Sequence, residues 1–263
     1  MTLDLHLDGR TAVVTGASKG IGLAITRALS SEGVRVVAAA LKGSSELDTL
    51  AAEADVRTVS VDLTTPQGPG ELIENAASTL GGIDILVNNV GAVRPRLEGF
   101  TALTDADWEW ALTINFLAAA RTMRAAIPHM EGRPGANIVT ISSVNAFLPD
   151  PGVIDYSAAK GALTNLCKSL SKELGPGIRV NTISPGPVQT DLWLAADGVA
   201  ATVGRASGTD PGEVVRRQEA AAATGRFTRP SEIADLVLFL ASDRSANTTG
   251  SDVTIDGGLI TTL

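Results

Sequence analysis

The sequence predicts an α/β fold built on a single doubly wound parallel sheet of about seven strands, with helices on both faces. The main observation is that short runs of β-branched residues alternate with longer amphipathic stretches along almost all of the 263 residues. The composition agrees, because aromatic residues make up only 3% of the chain, which suits helices on a Val-rich parallel sheet better than a β-sandwich. No polar linker interrupts the alternation. Residues 1–263 are therefore expected to form one domain.

The first half of the chain alternates strand and helix signals regularly. Val-rich and Ile-rich runs predict strands, and the apolar periodicity between them predicts helices. Gly81 and Gly82 mark the turn that precedes the fourth of these runs. The strands are expected at residues 11–15, 34–40, 58–61 and 83–87, and the helices at 20–31, 47–54 and 71–80.

The second half continues this alternation with longer helices. A helix-cap pattern at Thr104 begins an amphipathic stretch that ends near a Gly and Pro region at 132–134. The helices are expected at residues 104–130, 156–174 and 232–241, and the strands at 137–141, 178–184 and 253–255.

Residues 187–225 break the alternation. The segment is rich in Ala, Gly, Thr and Asp, has no clear period and follows the carboxyl end of a strand, where open α/β sheets bind ligands. It is predicted to be an irregular substrate lid, the alternative being a mobile insertion. The apolar Leu192, Trp193 and Leu194 favour a segment that docks onto the rest of the protein.

Charge and composition exclude several functions. The net charge of −8 leaves no basic stripe, so nucleic acid is not an expected partner. Cys167 is the single cysteine and the chain has two histidines, so neither an internal disulfide nor a metal site is expected. The N-terminus is not basic, and no uncharged apolar run approaches the length of a membrane span. A cytoplasmic protein with no membrane partner is expected.

Tyr156, the only tyrosine, lies four residues before Lys160 and thirteen after Ser143. Four residues are about one helical turn, so the phenol and the ammonium are expected on one helix face. A nearby positive charge favours the phenolate and would lower the pKa of the phenol, which would make Tyr156 a general acid/base. A lysine four residues from a tyrosine also occurs by chance, so this pair needs the support of other motifs.

A glycine-rich turn between the first strand and the first helix supplies that support. Thr15 to Gly22 reads G-x-x-x-G-x-G, and glycines there let the backbone approach a pyrophosphate at the positive end of a helix. This spacing differs from the commoner G-x-G-x-x-G fingerprint of dinucleotide-binding proteins, so the glycine-rich turn alone is a weak indication of a Rossmann-type dinucleotide site.

Three further motifs make the pattern specific: Asn88-Asn89-Val90-Gly91, Asn115 within the long helix, and residues 181–186, which read N-T-I-S-P-G. Together with the Ser, Tyr and Lys set, they resemble the short-chain dehydrogenase/reductase family from about Asp8 to Gly258. The resemblance implies that Tyr156 exchanges a proton with a carbonyl or alcohol, that Ser143 orients the same oxygen, and that Lys160 binds the nicotinamide ribose and lowers the pKa of Tyr156. It also implies that Asn115 holds a water that links Lys160 to solvent.

The resemblance further implies a nicotinamide cofactor. The acidic residue by which members of the family that prefer NAD bind the adenosine ribose is replaced by Ala40, and Lys19 and Lys42 are candidates to pair with a 2′-phosphate. NADP(H) is therefore favoured over NAD(H), which remains open because Leu41 stands where NADP-preferring members often have arginine. The residues expected to contact the cofactor are Gly16, Ser18, Lys19, Gly20, Ile21, Gly22, Ala40, Lys42, Asp62, Leu63, Asn89, Gly91, Tyr156, Lys160, Pro185, Gly186, Val188 and Thr190.

The substrate is less constrained. Its pocket is expected to be lined by residues 93–96, 145–148, 186–187 and the lid, and the residues expected to contact it are Ser143, Asn145, Tyr156 and Trp193. Arg94 and Arg96 are candidates to hold a carboxylate or phosphate, the alternative being that both are solvated. A ketone or 3-oxoacyl thioester reductase is favoured, with steroid and polyol substrates open.

Two other functions were weighed against the enzyme. A non-catalytic NAD(P)-binding regulator or scaffold would tolerate loss of the four catalytic residue types, all of which are present here. A methyltransferase would not need the Tyr/Lys pair. The last strand and tail, residues 253–260, and the helices at 104–130 and 156–174 resemble the subunit contacts of the family, so a homotetramer, or else a dimer, is expected.

Overall fold

The fold is described from a computed structural model, which covers residues 4–262. Seven parallel strands form one sheet in the order β3-β2-β1-β4-β5-β6-β7. The predicted doubly wound α/β architecture is confirmed. Residues 1–3 of the N-terminal segment, from which the absence of a signal sequence was inferred, lie outside the described residues. The strands are β1 Thr11–Thr15, β2 Arg35–Ala40, β3 Val56–Ser60, β4 Ile85–Asn88, β5 Asn137–Ile141, β6 Arg179–Pro185 and β7 Asp252–Ile255.

Two apolar cores cover the two faces of the sheet. One contains Ile25 and Leu29 of α1 with Ile233 and Val237 of α10, and the other contains side chains of α3, α5 and α6. Strands buried on both faces explain the continuous Val and Ile runs in the sequence. The helices are α1 Gly20–Ser31, α2 Ser45–Glu53, α3 Gly68–Leu80, α4 Asp105–Leu112, α5 Ala118–Met130, α6 Ile154–Glu173, α7 Asp191–Leu194, α8 Val199–Ser207, α9 Pro211–Ala221 and α10 Pro230–Ala241.

The long helix predicted at 104–130 is interrupted by a π-helical turn. Residues Thr113–Leu117 of this turn separate α4 from α5 and carry Asn115. Asn115 is fully buried, and its amide bonds both within the helix and to the loop after β4. The extra residue of a π turn changes the direction in which a side chain points, and such turns are frequent at functional sites.

The prediction of an irregular lid at 187–225 is wrong in its secondary structure, because α7, α8 and α9 lie within this segment. A polar cap explains one of these helices: the Asp210 side chain accepts a hydrogen bond from the backbone of Glu213, and Pro211 occupies the first turn. The segment also remains attached to the sheet end, because Val188 forms a parallel bridge with Thr228.

The strand order determines where a ligand-binding crevice forms. The chain winds from β1 outward to β3 and then crosses to β4, so the sheet reverses its winding direction between β1 and β4. At such a switch point the loops after the two strands separate and leave a crevice at the carboxyl edge. Among residues 4–262, no helix is long and apolar enough to cross a membrane.

Candidate active site

The glycine-rich turn after β1 is held tightly against the loop after β4. Gly16 has a φ of 66°, which favours glycine, and its carbonyl lies so close to Gly22 that a Cβ on Gly22 would clash with it. The Asn89 side-chain amide donates to the carbonyls of Thr15 (3.0 Å) and Gly16 (3.2 Å). The turn is therefore a fixed backbone cradle on one side of the crevice.

The N-terminus of α1 opens into this cradle. Lys19 is the N-cap residue and its side chain forms no capping hydrogen bond, so the first backbone N–H groups of the helix are free to bind an anion. Gly20 lies beside Thr190, because a Cβ at Gly20 would approach the Thr190 methyl group to 3.3 Å. The start of α1 thus faces the beginning of the segment 187–225.

The carboxyl end of β2 carries no acidic residue. Ala40 is 8% exposed, while Leu41 and Lys42 are exposed. Among residues 4–262, the side chains of Lys19 and Lys42 form no hydrogen bond or ion pair, so both cations are available to a ligand. The backbone of Ser18 is fixed beside this edge, where its carbonyl accepts a hydrogen bond from Ser44.

Asp62 and Leu63 follow β3 at the same edge of the sheet. The Asp62 carboxylate accepts bonds from the hydroxyl and backbone of Thr64, and these bonds lower its pKa. Leu63 was predicted to contact the cofactor, but its side chain is buried in the core, so only its backbone is available to a ligand.

Ser143, Tyr156 and Lys160 line one cavity at the carboxyl edge of β5 and β6. Ser143 caps a 3₁₀ turn after β5, and its hydroxyl donates to Asn145 Oδ1 over 3.2 Å. Tyr156 and Lys160 lie one turn apart on α6, with the Lys160 Nζ atom 5.7 Å from the centre of the Tyr156 ring. The predicted placement of phenol and amine on one helix face is therefore found in the structure.

The electrostatics of Tyr156 differ from the expectation. Burial raises the pKa of Tyr156, and the nearby Ser143 hydroxyl lowers it by less. The net direction is therefore opposite to the lowering expected from Lys160, whose own ammonium is desolvated and donates to the Ile141 carbonyl (2.9 Å). In this structure Tyr156 is therefore a protonated phenol at neutral pH, which is the form that donates a proton.

Asn115 lies behind this cluster and is not part of the cavity wall. Its Oδ1 atom accepts from the Ala92 backbone N–H, and its amide protons go to the carbonyls of Ala92 and Ala111. A Cβ on Gly91 would lie 2.9 Å from Asn115 Oδ1 and 3.3 Å from Lys160 Nζ, so both side chains flank Gly91. Both amide protons are used, and a water relay at Asn115 has only Oδ1 to bind.

The burial of Lys160 should make the free energy of unfolding depend on pH. Burial lowers its pKa from 10.5 to about 8, so the unfolded chain binds more protons between these values and the free energy of unfolding rises with pH. From pH 8 to 9 this contribution is about 1 kcal/mol. Urea denaturation of the cofactor-free protein should show a rise that is smaller by this amount in Lys160→Met. An equal rise in both proteins would contradict the lowered pKa.

Cys167 sets the upper limit of that pH window. Burial raises the pKa of this thiol from 9.0 to about 11. The folded state then keeps a proton that the unfolded chain loses, so stability falls as the pH rises above about 9. The comparison is therefore made between pH 8 and 9, and Cys167→Ala is the control that should retain the rise.

The cavity has a volume of about 460 Å³ and brings together twelve of the predicted site residues. The α7–α9 segment also contributes residues that were not predicted, among them Val199 and Gln218, and Leu259 comes from the tail. Trp193, which was predicted, packs edge to face against Phe227 with ring centres 5.3 Å apart. The predicted residues in the wall are Ile21, Asn89, Gly91, Ser143, Asn145, Tyr156, Lys160, Pro185, Gly186, Val188, Thr190 and Trp193.

Arg94 and Arg96 do not line this cavity, so their suggested role in holding a carboxylate or phosphate there is wrong. The alternative that both are solvated holds for Arg94, which is exposed, but not for Arg96. The Arg94 guanidinium lies 3.8 Å from the centre of the Trp110 ring. Arg96 donates to Asp107 (2.8 Å) and to the buried Asp155 (2.6 Å), the residue next to Tyr156. This buried ion pair joins the loop after β4 to the start of α6.

Comparisons with known proteins agree with this geometry. A family model described as Enoyl-(Acyl carrier protein) reductase matches residues 16–260. The 3-oxoacyl-(acyl-carrier-protein) reductase FabG of Thermotoga maritima is 32% identical, and the match covers 97% of this chain and 100% of that protein. The L-xylulose reductase of Bos taurus is 36% identical, with 99% of this chain and 100% of that protein covered.

A solved structure extends the likeness to three dimensions. L-sorbose reductase from Gluconobacter frateurii, in complex with NADPH and L-sorbose, has a TM-score of 0.90 at 32% identity, and the match covers 99% of this chain and 100% of that one. Fold, site and relatives together define an NAD(P)-dependent oxidoreductase. The chain belongs to the short-chain dehydrogenase/reductase family.

Proposed function

We propose that the protein is a reductase of ketones or 3-oxoacyl thioesters, in which Tyr156 is the proton donor. The observation that carries the proposal is the meeting of the hydroxyls of Ser143 and Tyr156 with the Lys160 amine in one partly apolar cavity. Two hydroxyl donors beside one another suit an oxygen on which negative charge develops. That chemistry matches a carbonyl better than a carbon–carbon double bond.

The residues present fit a dinucleotide cofactor. The tight approach of Gly22 to the Gly16 carbonyl leaves no room for a side chain in the cradle, and the open N-terminus of α1 suits a pyrophosphate. Pro185, Gly186, Val188 and Thr190 would hold the nicotinamide end, because all four line the same cavity as Tyr156. The backbone of Leu63 and the side chain of Asp62 would contact the adenine end.

NADP(H) is the proposed preference over NAD(H). The end of β2 has the neutral Ala40 and no carboxylate to repel a 2′-phosphate, and the unpaired Lys19 and Lys42 lie in the chain on either side of it. The solved L-sorbose reductase, a relative at 32% identity, holds NADPH.

The proposed mechanism uses three side chains around one oxygen. The nicotinamide, when bound, supplies the hydride that reduces the carbonyl carbon. As negative charge grows on the carbonyl oxygen, the Ser143 hydroxyl donates a hydrogen bond to it and the Tyr156 hydroxyl transfers its proton, which yields the alcohol and a phenolate. The Lys160 ammonium stabilises that phenolate, and solvent then returns a proton to Tyr156.

The function is tested by following oxidation of NADPH and NADH over a panel of aliphatic and aromatic ketones, 3-oxoacyl thioesters, steroids and ketoses. Turnover of at least one carbonyl class is expected. Tight cofactor binding with no turnover of any compound would contradict the reductase and favour the non-catalytic regulator.

We also propose that the protein forms a homotetramer, or else a dimer. β7 is an edge strand with exposed Asp252 and Thr254, and an uncovered edge in a parallel sheet is suited to a contact with another subunit. Size-exclusion chromatography with light scattering is expected to give four or two copies. A monomer at micromolar concentration would contradict the proposal.

A further inference from the structure

The cavity wall divides into a cofactor side and a substrate side, and the substrate side is almost without charge. The cofactor side holds the residues proposed to meet the nicotinamide. The other lining residues, here called the substrate side, are apolar side chains from three parts of the chain and a few polar groups. The residues on the substrate side are Ser143, Val144, Asn145, Leu148, Pro149, Asp150, Val153, Leu192, Trp193, Val199, Gln218 and Leu259.

Within residues 4–262, no cation in this wall is free to bind an anion. Lys160 and Asp150 are the only charged residues among those that line the cavity. The Lys160 ammonium already donates to the Ile141 carbonyl and lies beside Tyr156. Three arginines lie next to or near wall residues in the sequence and all have partners: Arg94 lies over the Trp110 ring, Arg96 pairs with Asp107 and Asp155, and Arg217, which precedes Gln218, pairs with Glu213. A carboxylate or phosphate inside the cavity would be desolvated without a cationic partner and would be repelled by Asp150.

Two side-chain amides in the wall retain unused hydrogen-bonding groups. Asn145 accepts from Ser143 through Oδ1, whereas its Nδ2 group has no partner among residues 4–262. The Gln218 amide of α9 has no partner within the same residues and is partly exposed at the cavity. An amide offers both donors and acceptors, which match the hydroxyl groups of an uncharged molecule.

We infer that the substrate is an uncharged ketone that carries hydroxyl groups, as in a ketose or hydroxyketone, and that Gln218 is a specificity-determining residue that binds one of these hydroxyls. The inference rests on the proposed reductase function and selects a substrate class within it. A cavity of about 460 Å³ accommodates such a molecule beside the nicotinamide. Asn145 binds a second hydroxyl nearer to the reacting carbonyl.

The charge part of the inference is tested with two compounds that share the same five-carbon 4-oxopentanoyl skeleton and ketone. Methyl 4-oxopentanoate is neutral and 4-oxopentanoate carries a carboxylate. We expect kcat/KM to be at least about tenfold higher for the ester, because the acid loses its solvation without gaining a partner. Equal or faster turnover of the acid would overturn this part. Gln218→Arg supplies the missing cation and should raise kcat/KM for the acid only.

The hydroxyl part is tested with xylulose and 2-pentanone, which have the same chain length and ketone position. Gln218→Leu should lower kcat/KM for xylulose about fivefold to tenfold, the loss of one hydrogen bond, and change that for 2-pentanone less than about twofold. Equal losses on both compounds, or no loss on either, would overturn the role of Gln218. Gln67→Leu is the matched control, because Gln67 is exposed and does not line the cavity.

The outcomes separate this inference from the proposed function. Turnover of 2-pentanone or of a 3-oxobutanoyl thioester in clear preference to xylulose would retain the reductase and overturn the hydroxylated substrate. Absence of turnover with every ketone and thioester, with NADPH still bound, would contradict the reductase itself, and the inference would fail with it.

Discussion

Tyr156→Phe is expected to lower kcat for carbonyl reduction by about a thousandfold or more while the Kd for the cofactor stays nearly unchanged. The substitution removes one hydroxyl, and Tyr156 is the only tyrosine, so no other phenol can take its place. A thousandfold loss corresponds to about 4 kcal/mol of transition-state stabilisation. This is a reasonable size for a proton donor that acts on an oxygen as its negative charge develops.

The measurement combines steady-state kinetics with a cofactor titration. Ser169→Ala is a suitable control because it also removes one hydroxyl from α6, at an exposed position away from the cavity, and should leave kcat unchanged. A decrease in kcat with an unchanged Kd supports Tyr156 as the donor. If the variant keeps a tenth or more of wild-type kcat, the proton comes from another group and the proposed mechanism is wrong.

The sequence predicted the sheet well because its signal is local. All seven strands were predicted to within a few residues. Five of them are buried on both faces and therefore need a continuous apolar run, whereas the edge strands β3 and β7 are partly exposed and were recognised by their β-branched residues. The helices outside residues 187–225 were also predicted from their apolar periodicity, although 104–130 was expected as one continuous helix. The π turn around Asn115 was not predictable from periodicity, because one inserted residue in a helix leaves the apolar pattern on both sides intact.

The segment 187–225 was predicted poorly for a different reason. Its Ala-rich and Gly-rich composition gives weak apolar periodicity, and the three short helices were missed. One local signal was present: Asp210, Pro211 and Glu213 form a recognisable helix start. Recognising it would have placed Gln218 on a helix, although not on the cavity wall, which depends on how the segment folds back over the sheet.

Side-chain contacts between residues that are far apart in the chain could not be predicted from the sequence either. The spacing of Tyr156 and Lys160 predicted that they share a helix face. Whether the pKa of Tyr156 is raised or lowered, however, depends on how deeply the side chain is buried. Arg96 pairs with Asp155, which lies 59 positions away in the chain. Nothing in the local pattern of either residue indicates this pair, and it removes Arg96 from the candidates for substrate binding.

Ala40→Asp is expected to reverse the cofactor preference, changing the ratio of the Kd values for NADPH and NADH by about a hundredfold. The new carboxylate would stand at the end of β2, where it can bind the ribose hydroxyls of NADH and repel the 2′-phosphate of NADPH. Placing like charges side by side costs several kcal/mol, and about 2.7 kcal/mol is a hundredfold in affinity. Fluorescence titration of both cofactors measures the ratio directly.

Ala40→Asn separates charge from size. Ala40 is 8% exposed, so any larger side chain disturbs the end of β2 to some extent, and asparagine has the same shape as aspartate without its charge. If the aspartate variant loses NADPH affinity and the asparagine variant does not, the repulsion is electrostatic and the 2′-phosphate lies at this edge. If both variants lose affinity for both cofactors equally, the effect is steric. A ratio that does not change in either variant would contradict the proposed position of the 2′-phosphate, and with it the roles proposed for Lys19 and Lys42.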